Sequence, residues 1–237
     1  MTKTVLITGS SRGIGLALAK QYQSDGWNVI GAARNPSTAE KLQALKPYKV
    51  VQLDTSDEDS VLRAAKDLED EAIDVIINNA GIADIYETFE TMTKESMMKH
   101  FEVNTVGSFL VSRAFVPHLK AAVSKNGIAK LVQISSSLGS ITLNDGVVGF
   151  PSYRVSKAAL NMAHMNITHA LKGENIVCAT FEPGHVATDM TNYPPELKIK
   201  PSLQPWESAA GVSKVIAGLT LNDMGGYFDY LGERLPW

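Results

Sequence analysis

Apolar runs that stay apolar on consecutive positions recur along this chain at 4–8, 28–32, 50–53, 75–78, 130–135, 177–181 and 226–230. A strand of that kind is buried on both faces, so its sheet needs helices on both sides. Helical spacing fills the intervals at 13–25, 56–71, 94–122, 152–171 and 207–219. The alternation argues for an α/β fold, a doubly wound parallel sheet of seven strands with helices on both faces. Thr55-Ser-Asp-Glu-Asp supplies a cap and an acidic first turn for one of those helices. No repeat, low-complexity tract or composition break divides the 237 residues, so a single domain spanning 1–237 is expected. Two connections are long, 138–151 and 184–205. The second holds Pro194, Pro195, Pro201 and Pro205, so it is no regular helix and is expected to be a substrate lid.

Thr8-Gly-Ser-Ser-Arg-Gly-Ile-Gly15 follows the first strand directly and opens the first helix. Gly9 permits a tight turn, Gly13 lets the backbone approach a phosphate, and Gly15 lets the helix pack close to the strand. The helix N-terminus then presents free N–H groups and a positive dipole end to a pyrophosphate. That combination favours a Rossmann-type dinucleotide site over a plain turn. A carboxylate about 20 residues further on would hold the ribose 2′-hydroxyl of NAD. The second strand instead ends Ile30-Gly-Ala-Ala-Arg-Asn35, without an acid. Arg34 there and Arg12 in the glycine turn suit a 2′-phosphate, which guanidiniums bind bidentately, so NADP(H) is the expected cofactor. Asp54 and Asn78 end the third and fourth strands, where open parallel sheets place ligands. Asp54 is placed to accept from an adenine amino group. Asn78 is either a cofactor contact or a structural bond to loop backbone.

Tyr153-Arg-Val-Ser-Lys157 puts a phenol and an ammonium on one helix face, since residues four apart are neighbours there. Free tyrosine and lysine titrate near 10 and about 10.4, too high for proton transfer at neutral pH. A cationic neighbour favours phenolate, which makes Tyr153 a better proton donor and, in reverse, a usable base.

The net charge of −3 gives no electrostatic footprint for nucleic acid or an anionic membrane, and 44% hydrophobic residues allow a sizeable core. No apolar stretch is long enough to span a bilayer, and Met1-Thr-Lys-Thr does not open a signal peptide, so a cytoplasmic protein is expected. Cys178 is the single cysteine and lies in the apolar run Ile176-Val-Cys-Ala-Thr180, so it is read as a buried, inert thiol. His100, His118, His164, His169 and His185 show no zinc-like pairing, and no metal is expected. His185 follows Pro183-Gly184 and stands nearest a substrate.

Taken in order, Thr8-Gly-x-x-x-Gly-Ile-Gly15, Asp54, Asn78-Asn-Ala-Gly81, Asn104, Ile134-Ser-Ser-Ser, Tyr153-x-x-x-Lys157 and Pro183-Gly-x-Val-x-Thr-Asp189 resemble the short-chain dehydrogenase/reductase family over nearly the whole chain. The close, Gly226-Tyr-Phe-Asp-Tyr-Leu-Gly-Glu-Arg-Leu-Pro-Trp237, resembles its sniffer and C-factor-like carbonyl reductase branch. The resemblance implies an NADPH-dependent reductase of a small aldehyde or ketone, with Tyr153 as proton donor. Lys157 would assist Tyr153 and hold the nicotinamide ribose, a serine would bind the carbonyl oxygen, and Asn104 would hold a relaying water. Ser136, fixed by its place at the strand end, is the expected catalytic serine; Ser140 fits the commoner spacing to Tyr153 and is the alternative. The resemblance also puts Gly9, Ser11, Arg12, Gly13, Ile14, Gly15, Arg34, Asp54, Asn78, Ala80, Gly81, Tyr153, Lys157, Pro183, Gly184, Val186 and Thr188 at the cofactor. It implies a homodimer through the helices at 94–122 and 152–171, with a monomer or tetramer as alternatives. Competing readings are a non-catalytic NADP-binding regulator, a reductase of 3-oxoacyl chains and an alcohol dehydrogenase running in reverse.

Overall fold

Val5, Leu6 and Ile7 are all fully buried, yet Val5 and Ile7 pack into one apolar cluster and Leu6 into another. Successive side chains of a strand point to opposite faces, so the two clusters are the two sides of one sheet. The computed structural model describes residues 2–84, 86–146, 149–192 and 202–237. Its strands are β1 (Thr4–Ile7), β2 (Asn28–Ala33), β3 (Lys49–Gln52), β4 (Val75–Asn78), β5 (Ala129–Ile134), β6 (Ile176–Glu182) and β7 (Gly226–Asp229). All pair in parallel, in the order β3-β2-β1-β4-β5-β6-β7. The fold is therefore the doubly wound α/β sheet read from the sequence. Strand order reverses between β1 and β4, the place where such sheets open a crevice at their carboxyl ends.

One face is covered by α1 (Gly13–Ser24), α2 (Glu40–Ala44) and α8 (Pro205–Gly218), through Leu18, Tyr22, Leu42, Val212 and Ile216. The other carries α3 (Glu58–Asp67), α5 (Ser108–Ala114), α6 (Val116–Asn126) and α7 (Pro151–Ala170), through Val61, Val111, Phe115, Leu119 and Ile167. Asp57 caps α3 by accepting from Asp59 N at 3.0 Å. The short helix α2 has no counterpart among the sequence-read helices.

The helix expected at 94–122 is not continuous. It is α4 (Lys94–Phe101), a π-helical turn over Glu102–Gly107, then α5 and α6. Two local causes are visible. A Cβ on Gly107 would lie 2.5 Å from Thr55 O, so the chain here is pressed against the turn after β3. Pro117 lacks an N–H and crowds the preceding turn, which ends α5 before it.

Nine residues of the expected lid, 193–201, fall outside the described residues. Its two ends are joined: Val186 bridges Leu203, and Ala187 N donates to Leu203 O at 2.8 Å.

Candidate active site

A cavity of about 920 Å³ opens at the carboxyl ends of the strands, across the point where strand order reverses. Its floor is the β1–α1 turn. Gly9 has φ +63° and Gly13 φ +56°, a backbone that other residues adopt only under strain. A Cβ on Gly9 would also lie 2.9 Å from Ala80 Cα, and one on Gly15 would lie 2.3 Å from Gly9 O. Gly9 and Gly15 are therefore held by close packing as much as by turn conformation. Arg12, the N-cap of α1, makes no side-chain cap bond, so the first N–H groups of the helix are left for a ligand. Arg34 and Asp54 line the far end of the cavity. Arg12 lies at its mouth, where its guanidinium pairs with Asp189 at 3.0 Å. Both partners are well exposed, so the pair contributes little to stability.

Ser136, Tyr153 and Lys157 line the opposite end. Pro151 opens α7 at its first turn, where a missing N–H costs nothing. The Glu87 carboxylate caps the same end, accepting from Ser152 N at 2.8 Å. Two residues into the helix from Pro151, Tyr153 faces the cavity; one turn further on, Lys157 is buried. The Lys157 ammonium lies 5.6 Å from the Tyr153 ring centroid and donates to Ile134 O at 2.9 Å. Burial lowers the Lys157 pKa to about 8, against the opposing pull of the Glu182 carboxylate. The turn after β5 is locked onto α7: Ser135 Oγ donates to Asn161 Oδ1 at 2.6 Å, and a Cβ on Gly139 would meet Lys157 Cβ at 2.7 Å.

The two serines separate cleanly. Ser136 stands in the cavity wall, its Oγ accepting from Leu138 N at 3.3 Å. Ser140 is buried under the C-terminal tail, donating to Pro236 O at 2.8 Å. Trp237 closes that tail by stacking on Tyr227, ring centroids 5.0 Å apart.

Ser11, Ile14, Ala80, Gly81, Pro183, Gly184, Val186, Thr188 and His185 also line the cavity. Thr188 reaches across to the glycine turn, its Cγ2 3.4 Å from where a Gly13 Cβ would stand. Gly184 has φ +84° and no room for a side chain beside Leu203.

Three expected residues do not line the cavity: Gly15 (packed against Gly9 O), Asn78 and Asn104. Asn78 is buried beneath it and donates to Ser112 Oγ at 2.9 Å and Ser108 O at 3.3 Å. Of its two sequence readings, the structural one is what its contacts carry. Side chains alternate at a strand end, so it is Asn79 that turns to the site, donating to Thr8 O at 2.9 Å and Gly9 O at 3.3 Å. Asn104 sits in the π-helical turn, fully buried, its amide engaged with Ile82 N, Ile82 O and Ser156 Oγ. Those contacts position the loop after β4, and they leave the side chain little capacity for the expected water. Sequence reasoning missed Asn79, Glu87 and Glu182. The signal for Glu182 was there: a charge ending an otherwise apolar strand, directly before Pro183-Gly184.

Cys178 is fully buried, its thiol pushed up to about 12 by burial. Among the described residues no group of His, Cys, Asp and Glu side chains is arranged to hold a metal, and no helix is long and apolar enough to cross a membrane.

A dinucleotide suits what is present. The glycine turn leaves backbone exposed where phosphate must approach, the helix end is uncapped, and a buried ammonium faces the other end of an elongated cavity. The comparisons agree. Residues 3–196 match the family model described as short chain dehydrogenase. The chain is 32% identical to Short chain dehydrogenase gsfK of Penicillium aethiopicum, over 100% of both chains. In structure it is similar to an NADPH-bound carbonyl reductase from chicken fatty liver, with a TM-score of 0.90 and 31% identity over 100% of this chain and 99% of that one. It is similar also to the carbonyl reductase Sniffer of D. melanogaster, with a TM-score of 0.90 and 27% identity over 100% of both chains.

Proposed function

The chain belongs to the short chain dehydrogenase family, and from that premise we propose that it is an NADPH-dependent reductase of small aldehydes or ketones. The observation that carries the reading is the Tyr153–Lys157 pair, a phenol in the cavity wall with a buried ammonium 5.6 Å from its ring. The glycine turn with Arg12 and Arg34 would hold NADPH, which would supply a hydride for the carbonyl carbon. Tyr153 gives its phenolic proton to the carbonyl oxygen, and the product is an alcohol. The Lys157 cation favours the phenolate left behind. Ser136 donates its hydroxyl to the same oxygen, aligning it and stabilising the charge that develops there. Asn104 acts through the Ile82 loop that it holds, and Thr188 faces the glycine turn from the base of the lid.

NADP(H) over NAD(H) is supported by Arg12 and Arg34 and by the absence of an acid at the end of β2. One solved neighbour, the chicken enzyme, is NADPH-bound. A homodimer is supported by exposed apolar side chains on α4, α5 and α7, among them Met98, Phe109 and Met162.

The test is loss of NADPH absorbance with a panel of small carbonyls. Wild type turns over at least one of them, faster with NADPH than with NADH. Tyr153→Phe loses turnover by about 10²- to 10⁴-fold while NADPH affinity is retained. Equal rates for the two proteins would exclude Tyr153 as the donor.

A further inference from the structure

Strand β6 is apolar through Phe181 and then ends on Glu182, whose carboxylate stands in the cavity wall. One carboxylate oxygen accepts from Gly184 N at 3.0 Å and the other from Ser137 N. It therefore ties the turn after β5, which carries Ser136, to the Pro183-Gly184 turn on the next strand. Burial raises its pKa, and the backbone N–H groups of Ser137 and Gly184 oppose that rise. Around the carboxylate stand Lys157 from α7 and Tyr227 from β7, both of which sense its charge.

A cap for the β6 turn alone would need to reach only Gly184 N, and a neutral side chain would serve without the desolvation cost. Glu182 reaches across to a different strand end and places a negative charge in the same wall as a buried lysine. Both features bear on the site. We propose that Glu182 is the positioning residue for Ser136, fixing the turn that carries the serine against the Pro183-Gly184 turn. This rests on the reading of Ser136 as the hydroxyl that binds that oxygen.

The test is a double-mutant cycle of Glu182→Gln and Ser136→Ala in the full chain. Glutamine keeps the size, but its amide has one acceptor oxygen and cannot accept from both N–H groups. Glu182→Gln is expected to lower kcat by about 10- to 100-fold. KM for the carbonyl and Kd for NADPH stay within about threefold, because the loss is confined to the transition state. The double variant is expected within about twofold of Ser136→Ala alone. Denaturant midpoints of the cofactor-free proteins should likewise change by less than the sum of the single changes. A Glu182→Gln kcat within about twofold of wild type, or two losses that multiply, overturns the proposal. Full turnover in Ser136→Ala overturns the reading of Ser136 itself, and the proposal with it, by a result that does not involve Glu182. If Glu182→Gln does not fold, Glu182→Asp goes through the same cycle, with a smaller loss and the same lack of additivity expected.

Discussion

Two lysines bracket strand β5, and they share a pKa but not a role. Lys130 lies near the start of the strand and Lys157 reaches its last residue, Ile134. Burial lowers both to about 8. Lys130 donates to Ile216 O and, at 2.9 Å, to Ala217 O, the last carbonyls of α8, where a cation also meets the negative end of the helix dipole. Lys157 has one protein acceptor among the described residues, Ile134 O, and its remaining N–H groups stand in the cavity wall beside Tyr153. A perturbed pKa thus marks burial at either end of the sheet. What separates a structural lysine from a candidate catalytic one is whether its donors are already engaged.

The sharpest way to break this comparison is to remove each ammonium in turn. Lys157→Met is expected to lower turnover by about 10²- to 10⁴-fold, since Tyr153 loses its cationic neighbour. Lys130→Met is expected to leave turnover within about threefold of wild type, because its end of the sheet is remote from the cavity. Steady-state kinetics at neutral pH measures both. Similar losses in the two variants would mean that the cavity lysine has no special place in the chemistry.

How much of this contrast was legible in the sequence depends on the range of the interactions involved. The strands, the glycine turn and the Tyr153–Lys157 pair are local patterns, and each appears where the sequence put it, within a residue or two. The partition of Asn78 from Asn79 was not legible in the same way. Which of two adjacent asparagines faces the cavity depends on where the strand ends, and boundaries are the least certain part of a sequence reading. The π-helical turn in the 94–122 helix arises where Gly107 meets Thr55, a tertiary contact, whereas the break before α6 follows from Pro117, which the sequence itself displays. Glu182 was missed because its second partner, Ser137, lies 45 residues away. Ser140 was a fair candidate by spacing, and only the packing of the C-terminal tail shows it occupied by Pro236.

Stability should divide the two lysines in the opposite sense from activity. With a folded pKa of about 8, the charged Lys157 costs the cofactor-free protein on the order of 3 kcal/mol relative to a lysine in water. Lys157→Met removes that cost and gives up one bond to Ile134 O, so a gain of about 1–2 kcal/mol is expected. Lys130→Met removes the donor to two helix-end carbonyls, and a loss of about 1–2 kcal/mol is expected. Urea denaturation at pH 7 without cofactor measures both, and destabilisation by Lys157→Met would show that its ammonium is better compensated than its setting implies.

The pH dependence of stability is comparable in size to these effects of substitution, and it probes the proton that each lysine carries. Below about pH 8 Lys157 is charged whether the chain is folded or unfolded, so its contribution is constant. Between about 8 and the ordinary lysine value near 10.4 the unfolded chain binds the proton and the folded one does not. Stability from this group therefore rises with pH across that window, by at most about 1.4 kcal/mol per pH unit. Lys130 has the same folded value of about 8, so its contribution rises with pH across the same window. The differences in unfolding free energy between wild type and Lys157→Met and between wild type and Lys130→Met should both shift toward wild type as pH is raised from 7.5 to 9.5. A level difference for Lys157→Met would mean that Lys157 keeps its proton through this range, and the cavity would then hold a permanent cation rather than a titrating one.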